Sequence, residues 1–358
     1  MSAAAGLKLS VFFGERDVAD GRFLAERIIA EGERAGVAGA ILMRGVEGFG
    51  IKHRRRTDRL LTLSEDLPVV AIAVGGAEPV EEAAARIGRI DFDGLVTLER
   101  LRLLTPPAEA EFAKQEEDAK LSVYLGRGRR VDGEPAYRWL ISRLREAGVE
   151  GGTVLLGVDG ILSGSRRRAG FFSRNVDVPA LVVSVGRADR LAAAAAAVAE
   201  LPGAPVATLE RVHVCKRDGG PITPPQAVPE RDRGGMSIWQ KLTLYSSEQV
   251  HVGGRPVHIE AVRRLRAASA DGATALRGVW GFDGRHAPHG DRFSSLRRRV
   301  PTLTVVIDSP ARTRDWLGIL DELTPDRGLI TSEIVPARHA RGLGGEEALA
   351  GLARPPDR

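Results

Sequence analysis

The chain carries one cysteine, Cys215, in 358 residues, which excludes an internal disulfide or a multi-cysteine metal site and fits a reducing compartment. Cys215 reads as a small packed hydrophobe. No window reaches the roughly 18 apolar residues that a membrane-spanning helix needs, and the first residues do not pair a basic flank with an apolar run and a cleavage site. A cytoplasmic protein is expected. Aromatic residues make up only 5% of the chain, sparse for a base-stacking surface. There is no Gly-x-x-x-x-Gly-Lys-Ser/Thr loop, no Gly-x-Ser-x-Gly elbow and no His-Glu-x-x-His helix, so no catalytic residue and no enzymatic activity is expected. His53 and His286 have neither a nearby cysteine nor a repeated spacing, and no metal site is read there.

What is present is a globular composition, 43% hydrophobic and 28% charged, in a length that suits two or three domains. A formal charge of +5 mildly favours anionic partners. Its placement says more: the basic runs Lys52 to Arg56, Arg166 to Arg168 and Arg297 to Arg299 fall at one place in a repeat.

That repeat emerges when the segments starting at Leu7, Ala119 and Gln240 are set one above another. They align without a gap, at offsets of 112 and 121 residues. Lys8, Lys120 and Lys241 correspond. So do the glycine sets 21/133/254, 39/151/272, 45/157/278 and 48/160/281. Pro68, Pro179 and Pro301 then each open an apolar run, and Glu99, Glu210 and Glu333 recur in the last strand. A carboxylate present in three diverged copies suggests a shared pairing with the three lysines, across the sheet or between domains; ligand contact is the second reading.

In the first copy LSVFF is β-prone, and Phe23, Leu24, Arg27, Ile28 and Ile29 lie at helical spacing after a turn at Asp20-Gly21. AGAILMRGV follows the helix-ending Gly36, then VVAIAV, the helix GAEPVEEAAARIG and the strand LVTLERL. The order is βαββαβ, the ferredoxin-like arrangement of the α+β class, with two helices on one face of a four-stranded antiparallel sheet. The bare face needs a cover, and three such sheets facing inward would supply it. The expectation is three domains at 7–104, 118–215 and 236–340, linkers at 105–117 and 216–235, and a disordered tail at 341–358. One chain would then fold as an intramolecular pseudo-trimer, monomeric in solution.

The FFGERD opening, AILMRGVEGFG and LSEDLPVV of the first copy resemble the PII-like proteins grouped as domain of unknown function 190. The resemblance covers nearly the whole chain, three times over. It implies a signalling or regulatory protein that binds a small anionic ligand, an adenine nucleotide in the first instance, in clefts between domains, with no other cofactor. Long T-loops, here about 48–66, 160–177 and 281–300, would dock a partner. A membrane transporter or channel is the partner the resemblance suggests, which would make the protein peripheral at a membrane. The matching ligand-binding residues are Gly48, Phe49, Gly50, Lys52, His53 and Arg54, with Gly281, Phe282, Gly284 and Arg285 in the third copy, and Glu15 and Glu99. The phosphate-gripping loop of PII proteins has no lysine-bearing counterpart in RIDFDGLVT, PGAPVATLE or PDRGLITSE. The copies also differ, Glu15 and Glu248 being matched by Arg127, so one or two clefts are expected to keep a ligand role. A nucleic-acid-binding protein of the same fold and an enzyme are the alternatives; no nucleic acid is expected.

Overall fold

In the first repeat the β-prone run forms the strand Ala4–Gly14. Asp20 and Gly21 then turn the chain with φ of 49° and 74°, the left-handed pair a two-residue hairpin requires. The helix Leu24–Ala35 follows, and Gly36 at φ 73° ends it. The strands Gly39–Arg44 and Pro68–Gly75, the helix Ala77–Gly88 and the strand Leu95–Leu104 complete the unit. These elements belong to a computed structural model that describes residues 4–50, 56–57, 66–104, 118–169, 177–231, 237–283, 288–290 and 300–340. The expected linker 105–117 and tail 341–358 lie outside the described residues.

Pairing within the repeat is antiparallel throughout. Pro68–Gly75 and Leu95–Leu104 flank Ala4–Gly14, and Gly39–Arg44 lies outside Pro68–Gly75. The second repeat places Asp118–Gly126 between Pro179–Arg187 and Val206–Arg211, with Gly151–Leu156 outermost. The third places Ile238–Ser247 between Pro301–Asp308 and Leu329–His339, with Ala273–Arg277 outermost. The chain is thus three tandem strand-rich α+β units.

Each unit buries one helix-covered core. In the first, Leu24, Ile28 and Ile29 of one helix meet Val80, Ala83 and Ile87 of the other over Leu7, Leu9 and Val11. Trp139, Leu140 and Leu144 do the same in the second, and Val262, Leu265, Trp316 and Leu320 in the third. The opposite sheet faces are covered by one another. Ile41, Met43, Val70 and Leu101 share a cluster with Tyr124, Leu155 and Leu181 and with Leu276 and Leu303, residues of all three repeats.

Hydrogen bonding between repeats links 19 of the described strands into one sheet, the other six forming three short two-stranded hairpins. Each repeat sends a short arm to its predecessor in a cycle. Glu47–Phe49 pairs with Ala273–Ala275, Asp159–Leu162 with Gly39–Leu42, and Trp280–Asp283 with Gly151–Val154. The last strands add a second set of contacts, Ala207–Leu209 with Arg102–Leu104 and Ala337–His339 with Leu95–Thr97. The strand His213–Arg217 runs across the expected boundary at residue 215 and pairs with Leu329–Ser332. The linker after it is held down: Thr223 N donates to Cys215 O, and Gln240 Nε2 donates to Gln226 O.

Candidate ligand cleft

The arms account for the repeated glycines. A Cβ on Gly48 would stand 2.7 Å from the Ala273 carbonyl oxygen, on Gly160 2.2 Å from that of Ala40, and on Gly281 2.3 Å from that of Gly152. All three also press on the repeated prolines Pro68, Pro179 and Pro301. Glycine is required there because one backbone lies against the next repeat's backbone. A phosphate cradle is therefore not what Gly48 and Gly281 are shaped for.

The residue after each of these glycines is an apolar plug. Phe49 joins the helix-covered core of the third repeat, Ile161 that of the first and Phe282 that of the second. Phe49 and Phe282, expected at a ligand, are each 3% exposed and serve as packing between repeats. Gly50 meets nothing within 4 Å. Lys52, His53, Arg54, Gly284, Arg285 and His286 lie outside the described residues. Glu15 is at the surface, paired with Arg44 at 2.7 Å; the equivalent Glu248 pairs with Arg277 at 2.6 Å. Arg127 and Leu156 stand at those positions in the second repeat, so both halves of the pair are lost together.

At the junction of the first and second repeats the arm continues into a hairpin that closes over its neighbour. Ser163 and Gly164 turn it at φ of 50° and 72°. Arg166 N then donates to Glu33 of the first helix at 3.1 Å, and Arg168 pairs with Glu26 at 2.6 Å. Arg166 itself pairs with the buried Asp159 at 2.5 Å. The basic run of this loop is thus paired with carboxylates, Arg167 more loosely with Asp177 at 4.0 Å.

Among the described residues the junction of the second and third repeats is open. It holds a cleft of about 690 Å³ whose walls include Gly148–Thr153, Val183 and Val185 from one side and Tyr245, Phe282 and Pro301 from the other. Arg145, Arg190, Arg217 and Arg327 stand around it. Arg217 is engaged by Asp118 at 2.5 Å and by Glu150. Arg190 donates to the Gly148 carbonyl at 2.9 Å, at the end of the helix Ala136–Glu146. Arg145 and Arg327 have no carboxylate partner among the described residues.

At the centre lies a closed ring of six charges. Register sets Lys8 opposite Glu99, Lys120 opposite Glu210 and Lys241 opposite Glu333, with ion pairs of 2.9, 2.9 and 3.1 Å. Each lysine also reaches the glutamate of the following repeat: Lys8 to Glu210, Lys120 to Glu333, and Lys241 to Glu99 at 2.5 Å. Burial alone would raise the Glu210 carboxyl, but Lys120 and Lys8 hold it down at about 2. Glu99 is likewise held well below the carboxylate range, burial being overcome by Lys241 and Lys8. Burial pulls Lys8 down, yet Glu210 and Glu99 together hold its ammonium above the usual value. At Lys241 burial outweighs Glu333 and Glu99 and the ammonium is lowered. Oxygens of Glu99, Glu210 and Glu333 lie within 4.8 Å of one another, but three ammonium groups already neutralise them and leave a metal ion no charge to answer. Glu99, expected among the ligand contacts, is instead enclosed here, with Thr97 donating to its other oxygen at 3.3 Å.

The sequence profile of the DUF190 family, described as an uncharacterized ACR, matches residues 6–103, 118–214 and 239–337. The chain belongs to the DUF190 family. The three matches coincide with the three structural repeats, so this DUF190 chain carries the family domain in triplicate. Among solved structures, the aspartate kinase from Synechocystis is similar at 12% identity and a TM-score of 0.22, over 99% of this chain and 56% of that one. The chain thus spans about half the length of that kinase, and a likeness so low informs neither fold nor activity.

Within this DUF190 chain the cleft residues Arg145, Arg327 and Tyr245 escape sequence reading, because they come from a helix end, a loop and a strand far apart along the chain. The plug Ile161 had a usable signal in its register with Phe49 and Phe282. Its change from phenylalanine to isoleucine conceals it.

Proposed function

We propose that this chain is a PII-like regulatory protein. Its three ferredoxin-like repeats act as one intramolecular pseudo-trimer, and the cleft between the second and third takes a small anionic ligand, with an adenine nucleotide as the first candidate. The observation that carries the reading is the open cleft at the base of the third long loop, where Arg145 and Arg327 have no carboxylate partner among the described residues. Arginine suits phosphate and carboxylate groups because its planar fork donates in pairs, while the half-buried Tyr245 on the cleft wall offers a ring edge for a flat ligand to pack on. Phosphates would be held by these arginines, since the loop that grips them in PII proteins has no lysine here. The protein is proposed to be non-catalytic and cytoplasmic. Its loops, especially those of the first and third repeats, would dock a partner such as a membrane transporter or channel, with ligand occupancy setting loop order.

Isothermal titration with ATP, ADP, AMP, cyclic AMP and cyclic di-AMP at moderate salt tests the reading. Saturable binding that Arg145→Glu and Arg327→Glu each weaken tenfold or more is the expected outcome. Absence of binding by all five would move the function to a docking adaptor. The face that an RNA-recognition domain uses for bases is packed between repeats, which argues against the nucleic-acid alternative.

A further inference from the structure

The first strand of the third repeat ends unlike the other two. Phe13 and Leu125 hold equivalent positions in the first and second repeats, 4% and 1% exposed, and pack into the helix-covered cores of their units. In the third repeat that position is Ser246, on the same sheet face as the core residues Leu242 and Leu244. Ser246 is half-buried and stands on the wall of the cleft between the second and third repeats. Its hydroxyl oxygen is buried with no hydrogen-bond partner among the described residues.

A second replacement adjoins it. The ladder between Ile238–Ser247 and Leu329–His339 ends with Tyr245 opposite Leu329, so the chain enters that last strand through Arg327 and Gly328 beside Ser246, and all three share the cleft wall. Counted back from the ring glutamates, the positions equivalent to Arg327 are Ala204 and Asp93. Two replacements about eighty positions apart along the sequence thus meet on one cleft, in one repeat. A buried hydroxyl without a partner destabilises a fold, and leucine or phenylalanine suits a core-facing strand position better. We infer that Ser246 and Arg327 together form the subsite for a phosphate group of the cleft's ligand, the serine hydroxyl and the guanidinium donating to its oxygens. No hydrogen bond to a described residue fixes the serine, so it can turn about χ1 to meet the ligand, and a hydroxyl donating to a charged oxygen makes one of the stronger hydrogen bonds. The same pair singles out this junction. The equivalent wall between the first and second repeats carries Leu125 and Ala204, and that between the third and first carries Phe13 and Asp93. The subsite rests on the reading of this cleft as a site for a small anionic ligand.

Calorimetric titration of the full chain with ATP and with pyrophosphate, in Ser246→Ala, Arg327→Ala and the double variant, tests the assignment, with urea unfolding of each variant alone as the control. The wild type should bind both probes, and Ser246→Ala should weaken each about tenfold, the loss of a hydrogen bond to a charged group. The double variant should lose less than the two single losses combined, because both side chains hold one group. Without ligand, Ser246→Ala should unfold at the wild-type urea midpoint or above it, since the hydroxyl it removes has no protein partner. Unchanged affinity in Ser246→Ala, or losses that simply add, overturns the subsite; if Arg145→Glu still weakens binding, the cleft reading stands without it. Failure of the wild type to bind either probe overturns both.

Discussion

At the scale of single residues the central ring dominates. Removing one member of a buried ion pair strands a charge away from water, at about 3–5 kcal/mol. Lys120→Met, which strands Glu210 and Glu333 together, should lower the unfolding free energy by at least that amount in urea titration. Glu15→Ala, at an exposed pair, should change it by about 1 kcal/mol or less. The ring also sets the response to acid. Glu210 is at about 2 in the folded chain against an ordinary 4.5, and a carboxyl depressed on folding stabilises above its unfolded value and loses that contribution as pH falls through its folded one. Stability measured from pH 5 down to pH 2 should therefore fall steeply, and Glu210→Gln should flatten that limb. Gly160→Ala would place a methyl 2.2 Å from the Ala40 carbonyl oxygen and should displace the arm from the first repeat, visible as lost amide protection in Asp159–Leu162.

At the scale of elements the arms are the joints. Phe49 and Phe282 are deeply buried in a neighbour's core, and truncating either to alanine should cost about 3–5 kcal/mol, read from thermal or urea unfolding. The hairpin that seals the first junction is held by surface contacts, so Glu26→Ala should leave global stability within about 1 kcal/mol while speeding hydrogen exchange at Arg166 and Arg167. The regular parts of these elements were legible in advance. Hydrophobic period, the Asp20-Gly21 turn, the Gly36 stop and the repeated prolines place helices and strands because each is a local signal. The Lys8 to Glu99 pairing was legible too, since three copies of both residues mark one recurrent contact. The arms were not. Gly48 and Phe49 look like a loop base along the chain, and only the third repeat's Ala273, more than two hundred positions away, gives them a packing role. The cleft was hidden for the same reason, being assembled from Arg145, Tyr245 and Arg327.

At the scale of the whole molecule, three divergent copies in one chain free the junctions from having to be alike. The ring and the arms repeat in all three, since every repeat must hold its neighbours. The junctions differ: one is sealed by Arg168 and Glu26, and another opens into a cleft of about 690 Å³. A homotrimer of identical chains would repeat a single junction three times. Native mass spectrometry of the full chain with excess ATP tests this most directly, because it reads assembly and stoichiometry together. The account predicts a 38.4 kDa chain carrying one nucleotide, lost in Arg145→Glu; a trimeric mass, three nucleotides per chain, or none would contradict it.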